Sequence, residues 1–231
     1  MLYAIDPLYL IMMVPVLLLA GFASLKVKSA YNKFSKVANS ARMSGAEMAK
    51  ELLMRNGLSD VQVVEGRGLL SDHYDPTRKV VKLSPEVYNS QSVAAIGIAA
   101  HETGHAIQHA RAYKPLMLRN MMVPVASIGS NFAWIIIIAG FIMSALSLIK
   151  IGIVLFSVVV LFQLITLPVE FNASSRAKAM LTEYGLVPSS DSRGVSKVLS
   201  AAAMTYVAAA ASAIMTLLYF MIRAGLLGGD E

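Results

Sequence analysis

Four stretches of this chain contain no Asp, Glu, Lys or Arg over lengths that a water-soluble fold rarely sustains. They are residues 7–25, 121–149, 151–169 and 199–222, of 19, 29, 19 and 24 residues. A helix needs roughly 20 apolar residues to cross about 30 Å of hydrocarbon, and every run reaches or closely approaches that length. Composition agrees. Of 231 residues 56% are hydrophobic and only 15% charged, against about a quarter charged in soluble domains. The chain therefore reads as a polytopic membrane protein, mainly α-helical.

The positive charges label the loops. Fourteen of the 20 Lys and Arg lie in residues 26–120, four more (Arg176, Lys178, Arg193 and Lys197) lie in 170–198, and Lys150 alone separates the second apolar run from the third. Cytoplasmic loops carry the excess of Lys and Arg. The expected path thus has the N-terminus outside, 26–120 in the cytosol, an outward hairpin turning at Lys150, 170–198 in the cytosol and the C-terminus outside. The first run lacks a basic leader and follows the acidic Asp6, so it reads as a retained signal-anchor rather than a cleaved signal peptide. The organisation is then 1–25, signal-anchor helix; 26–120, cytosolic domain; 121–169, transmembrane hairpin; 170–198, a second cytosolic helix; 199–222, transmembrane helix; 223–231, a short tail.

The net charge of +6 is mostly this topological bias. Lys26, Lys28, Lys33 and Lys36 suit the headgroups of a cytoplasmic leaflet, and the aromatic interleaving of single-stranded nucleic-acid binders is missing. No nucleic-acid partner is expected. The chain has no cysteine, which excludes disulfides and thiolate metal ligands and fits a reducing compartment.

Within 26–120, Ser44 and Glu47 form a capping box for a helix over 46–56, stopped by Gly57. Short β-branched segments at 61–64, 68–70 and 79–83 read as strands. Ser84-Pro85-Glu86 and then Ser90 or Ser92 look like caps, the latter opening a long helix over about 91–113. The domain is thus a small α+β unit attached to a membrane bundle.

That long helix contains His101-Glu102-Thr103-Gly104-His105. Residues i and i+4 share a helix face, so His101 and His105 can offer two imidazoles to one metal ion. Zinc lowers the pKa of a bound water to about 7, and Glu102, beside the ligands without being one, can take its proton as general base. With four His and eight Glu in the chain, chance produces this pentapeptide in about 0.2% of such sequences. That weighs against ordinary interfacial histidines. The face of small residues (Ala94, Ala95, Gly97, Ala99, Ala100 and Gly104) independently indicates a tightly packed helix.

A peptidase centre needs a third protein ligand, and three residues are candidates. On an unbroken helix His109 lies about 12 Å from His101, and the metzincin spacing is missing, since Gln108 and Arg111 hold the Gly and His positions. His73 sits in the polar segment Asp72-His73-Tyr74-Asp75-Pro76, where it can ligate, orient substrate or cap a turn. Glu170 directly follows the third apolar run, where a carboxylate is costly unless paired or bound; the competing reading is a snorkelling acid or one paired with Arg176. Glu170 falls on the same predicted side as His101. Two His from one helix and a Glu from a later one is the gluzincin pattern, so Glu170 is preferred.

The block SDHYDPTRKVVKLSPEVYNSQSVAAIGIAAHETGHAIQH, followed by LPVEFNASSRA, resembles the YugP-type membrane zinc metallopeptidases across nearly the whole chain. The resemblance implies a bacterial membrane-embedded neutral zinc peptidase, distantly similar to HtpX-type peptidases, with a gluzincin-like cytosolic domain. It implies one zinc ion per chain on His101, His105 and Glu170, with Glu102 catalytic. In HtpX-type proteins the third-ligand motif usually reads E-x-x-x-D; here Ser174 replaces the acid, leaving Asn172 and Ser175 as weak candidates for orienting a ligand.

The expected activity is metal-dependent endopeptidase cleavage at the cytosolic side of a bacterial inner membrane, on membrane or membrane-proximal proteins. His73, Tyr74, Tyr113 and Arg176 are candidates to stabilise the oxyanion, and strand 79–83 is a candidate edge for extended substrate. The competing classes are a non-catalytic zinc-stabilised scaffold, an inactive homologue, or a transporter. The four runs hold no charged residue to serve a transport path, and an inactive homologue could lose the base, whereas Glu102 is present.

Overall fold

The computed structural model describes residues 6–68 and 71–227. Its elements run α1 (Pro7–Phe34), α2 (Gly45–Arg55), β1 (Gln62–Glu65), β2 (His73–Asp75), β3 (Val80–Leu83), α3 (Pro85–Tyr88), α4 (Val93–Ala110), α5 (Lys114–Ile142), α6 (Leu146–Glu183) and α7 (Ser189–Arg223). They divide into two compact units, one of Met1–Ala23, Leu118–Leu167 and Thr205–Glu231, the other of Ser24–Met117 and Pro168–Met204.

The first unit is built from apolar helix segments. α1, α5, α6 and α7 are each long and apolar enough to cross a membrane. Met12, Met13 and Val16 of α1 pack with Ala211 and Met215 of α7, while Ile137, Ile149, Ile153 and Phe220 join α5, α6 and α7. The outward faces stay apolar, with Leu18 and Val154 about two-thirds exposed (69% and 66%). A surface of that kind needs lipid around it. At one end, Asp6 accepts a hydrogen bond from the Tyr219 hydroxyl at 2.9 Å and pairs with Arg223 at 3.5 Å.

The hairpin does not turn at Lys150. α5 ends at Ile142 and α6 begins at Leu146, with Ser144 in the left-handed region (φ 52°) and the Ala145 amide donating to the Gly140 carbonyl. Lys150 lies within the first turns of α6. A single Lys interrupts a hydropathy run without interrupting a helix, because its long stem can carry the charge away from the apolar face. Residues 170–198 are likewise not one helix. They comprise the last part of α6, a turn with Gly185 at φ 64°, and the start of α7.

In the second unit α4 is the central element. The capping box forms as expected: the Ser44 amide donates to Glu47 at 2.7 Å and the Glu47 amide to Ser44 Oγ at 3.2 Å. α2 then packs on α4. Met48, Leu52, Ile96, Ile107, Leu181 and Val195 form a core of α2, α4, α6 and α7 residues. On the other side Leu53, Val81, Leu83, Val87, Ala99 and Ala106 form a core against the sheet.

The sheet has the order β1-β3-β2, with β3 parallel to β1 and antiparallel to β2. β3 is therefore the central strand, and the expectation that 79–83 offers a free edge is wrong. Its Val/Leu alternation, buried at Val81 and Leu83, is that of a strand flanked on both sides. Leu69 and Leu70 of the expected strand 68–70 lie outside the described residues. β2 falls instead at His73–Asp75, in the segment read as a polar turn. The turn itself follows: Asp75 Oδ1 accepts from the Thr77 and Arg78 amides, and Lys79 takes φ 52° to enter β3.

Candidate metal centre

α4 begins where Ser92 Oγ accepts from the Ala95 amide at 3.2 Å. The Ala/Gly-rich turns that follow let other elements approach closely. A Cβ on Gly97 would stand 3.2 Å from Val195, and one on Gly104 would stand 2.8 Å from the Ala173 carbonyl oxygen of α6. The Gly104 contact is with backbone, which cannot swing aside. It sets the spacing at which the α6 residues beside Ala173 meet α4.

At this spacing His101, His105 and Glu170 converge. Glu170 Oε2 lies 3.2 Å from His101 Nε2 and 3.7 Å from His105 Nε2, and one donor atom from each residue falls within 4.8 Å of the others. Zinc ligands at 2.0–2.2 Å in tetrahedral array stand about 3.3–3.5 Å from one another. The two separations from Glu170 bracket that spacing, and two imidazole nitrogens with one carboxylate oxygen suit zinc chemically. The Glu170 side chain is only 4% exposed, and no Lys or Arg pairs with it among the described residues; Arg176 turns instead to Asn172. A carboxylate so buried requires a positive partner. The demand is felt at His105. Burial disfavours its charged form, but hydrogen bonding to Glu170 and the charges of Glu102 and Glu170 outweigh this and hold its pKa above the ordinary imidazole value.

Each histidine is oriented from behind. Gln108, fully buried, spends its amide hydrogens on the Val169 carbonyl at 2.8 Å and Asn172 Oδ1 at 3.0 Å, two groups that can only accept. Its own Oε1 must then face His105 Nδ1, 3.0 Å away. His105 Nδ1 then carries a proton, which leaves Nε2, on the Glu170 side of the ring, as the nitrogen that would bind a metal. Ser174 Oγ lies 3.2 Å from His101 Nδ1 and can serve His101 in the same way. Such partners fix tautomer and ring orientation in metal sites.

Glu102 is buried to 8% exposure, yet no hydrogen bond or ion pair engages its carboxylate among the described residues. It lies outside the group of three donors. The other candidates lie elsewhere. His109 Nδ1 is 2.9 Å from the Tyr74 hydroxyl, and burial with the charges of Asp60 and Asp75 pushes that phenol up to about 12, so it stays protonated at neutral pH. His73 is exposed, its Nδ1 on the Ser71 carbonyl. Tyr113 is half-buried, and Arg176 lines a different cavity.

Gln108 and Ser174 are the residues that sequence reasoning missed. In the sequence Gln108 stands out only at the metzincin glycine position, although a polar residue three beyond a candidate ligand His on an apolar helix is itself a signal. Ser174 is where HtpX-type proteins carry an acid. Of the two weak candidates, Asn172 joins the network one step out and Ser175 is exposed.

Two substitutions test this account by zinc content and affinity. Gln108→Ala should weaken zinc binding about 10- to 100-fold. Gly104→Ala should lower the melting temperature, at an overpacking cost of about 1–3 kcal/mol, and weaken zinc binding with it. Unchanged zinc affinity in both would contradict the geometry.

Comparison with known proteins points to zinc as well. A family model described as "Putative neutral zinc metallopeptidase" matches residues 9–225. The chain is 49% identical over 215 residues to "Putative membrane protease YugP" of Bacillus subtilis (strain 168), covering 93% of this chain and 96% of that protein. No solved structure matches significantly.

Proposed function

We propose a function whose premise is that this chain belongs to the neutral zinc metallopeptidase family: it is a membrane-embedded, zinc-dependent endopeptidase. The observation that carries the reading is the convergence of His101, His105 and Glu170 beside Glu102, whose carboxylate has no hydrogen-bond or ion-pair partner among the described residues. A scaffold would have no use for that carboxylate.

His101, His105 and Glu170 hold the metal, one ion per chain. Bound there, zinc supplies Lewis acidity, making a water more acidic and a peptide carbonyl more electrophilic. Gln108 and Ser174 keep the two Nδ1 atoms protonated, so the Nε2 lone pairs stay available. Glu102 accepts the proton of the attacking water and hands it to the leaving amide nitrogen as the C–N bond breaks. β2 is the sheet edge in contact with α4, and no strand pairs with its outer side among the described residues; an extended substrate can add there.

Glu170 follows an apolar run directly, which favours substrates in or near the bilayer, and the Lys/Arg bias favours a cytosolic active site in a bacterial inner membrane.

The Glu102→Gln variant should retain one zinc per chain and lose about 10²–10⁴ in cleavage of an unfolded membrane-protein substrate. Cleavage equal to wild type would sink the assignment, as would none by either protein across many substrates. The ligand set has a separate test: Glu170→Ala should lose zinc and His109→Ala should keep it, read by metal analysis. For orientation, a single cysteine at Ser144 should react with an impermeant thiol reagent in intact cells, and one at Arg78 should not. The reverse pattern would overturn the topology.

A further inference from the structure

A half-open concavity lies between α4 and α6, on the flank of α4 turned away from His101 and His105. On α4, Ile107 and Arg111 stand one turn apart, with Gly104 and Gln108 between that flank and the one bearing His101 and His105. The cavity measures about 190 Å³ and is lined chiefly by Ile107 and Arg111 of α4, by Arg176, Met180 and Glu183 of α6, and by Tyr184. Among the described residues, no hydrogen bond or ion pair occupies the Arg111 guanidinium. Arg176 uses only Nε, which donates to Asn172 Oδ1 at 2.7 Å. Two guanidinium forks thus border one small space with most of their donors unspent, the arrangement by which arginines recognise carboxylate and phosphate oxygens. Glu183 offsets one of the two charges, so the lining matches a monoanion. Ile107 and Met180 supply an apolar wall for a short organic stem.

We propose that this cavity binds a monoanionic oxyanion group, a carboxylate or phosphodiester on a short apolar stem, and that its occupancy is coupled to the metal centre through Arg176, Asn172 and Gln108. The connection is continuous. Asn172 Oδ1 accepts from both Arg176 Nε and Gln108 Nε2, and the same Gln108 amide orients His105. An anion that draws the Arg176 guanidinium into the cavity pulls on the acceptor that anchors Gln108. By linkage the effect is reciprocal, zinc changing anion affinity by the factor by which anion changes zinc affinity. The coupling rests on His105 holding the metal; the anion site does not.

The experiment uses the full chain in uncharged detergent, zinc-loaded and zinc-free, with butyrate and dimethyl phosphate as soluble probes followed by calorimetry. In a second arm, zinc affinity is compared in nanodiscs of phosphatidylcholine with and without phosphatidylglycerol, whose headgroup is a phosphodiester. Saturable binding of a soluble probe, weakened at least ten-fold in both Arg111→Gln and Arg176→Gln, supports the site with a soluble ligand. An Arg111-dependent response to phosphatidylglycerol alone supports it with lipid as the source. Probe affinity should differ about five-fold or more between zinc-loaded and zinc-free chains, and Asn172→Ala should abolish that difference while keeping the binding. No saturable binding in either arm, or binding untouched by Arg111→Gln, overturns the site; equal probe affinity with and without zinc overturns the coupling. A chain that holds one zinc and binds no anion fails this proposal alone, whereas anion binding in a chain that takes up no zinc fails the metal reading and leaves the site.

Discussion

With only a hydrogen atom at Gly104, α4 can lie against the backbone of α6 at Ala173, and the candidate centre depends on that approach. A carboxylate has a short reach. A methyl group at that position would force the two backbones apart and displace Glu170 from its place 3.2 and 3.7 Å from the imidazoles. The small residues around Gly104 serve the same end on the other sides of α4. Ala99 and Ala106 take the sheet, while Gly97 and Ala100 take the helices. The helix that carries the chemistry is thin because everything else must touch it.

Thinness alone would leave the ligands free to rotate. The polar layer behind them removes that freedom, and it does so with neutral groups. Gln108 is a relay whose direction is set by a backbone carbonyl, that of Val169. Since a carbonyl cannot donate, the orientation of the amide is fixed, and the tautomer of His105 with it. A carboxylate in that place would also accept from Nδ1–H, but would add negative charge to a pocket that already holds Glu102 and Glu170. Ser174, where HtpX-type proteins have an acid, follows the same economy of charge.

Features written in local sequence are legible in the sequence itself. The apolar runs, the capping box of Ser44 and Glu47, the Ser92 cap and the spacing of His101 and His105 each depend on residues within a few positions of one another. Glu170 could be singled out because burying a lone acid at the end of an apolar run is costly. What escaped depends on partners distant in the chain. Whether 79–83 is an edge or a centre is decided by β1 and by a three-residue β2, too short to show a period. The break between α5 and α6 falls inside an uncharged run, and Lys150 drew attention because charge is visible in a sequence while a left-handed turn at Ser144 is not. Ser174 and Gln108 were both in view, but their roles are set by what lies across the α4–α6 contact.

The way charge is apportioned ties these observations to one physical argument. Glu102 and Glu170 are both nearly inaccessible, and no Lys or Arg pairs with either among the described residues. A carboxylate buried as Glu170 is, left without a cation, would destabilise a fold by several kcal/mol. His101 and His105, 3.2 and 3.7 Å from Glu170, are the groups within reach of that charge, and the raised pKa of His105 reflects it. A divalent ion would answer it better, because it would meet Glu170 directly and let both imidazoles stay neutral. Metal binding and the stability of the α4–α6 contact would then be linked, since Glu170 of α6 lies against the imidazoles of α4. An occupied centre would stabilise the packing, and the packing, through Gly104, sets how closely the three donors approach.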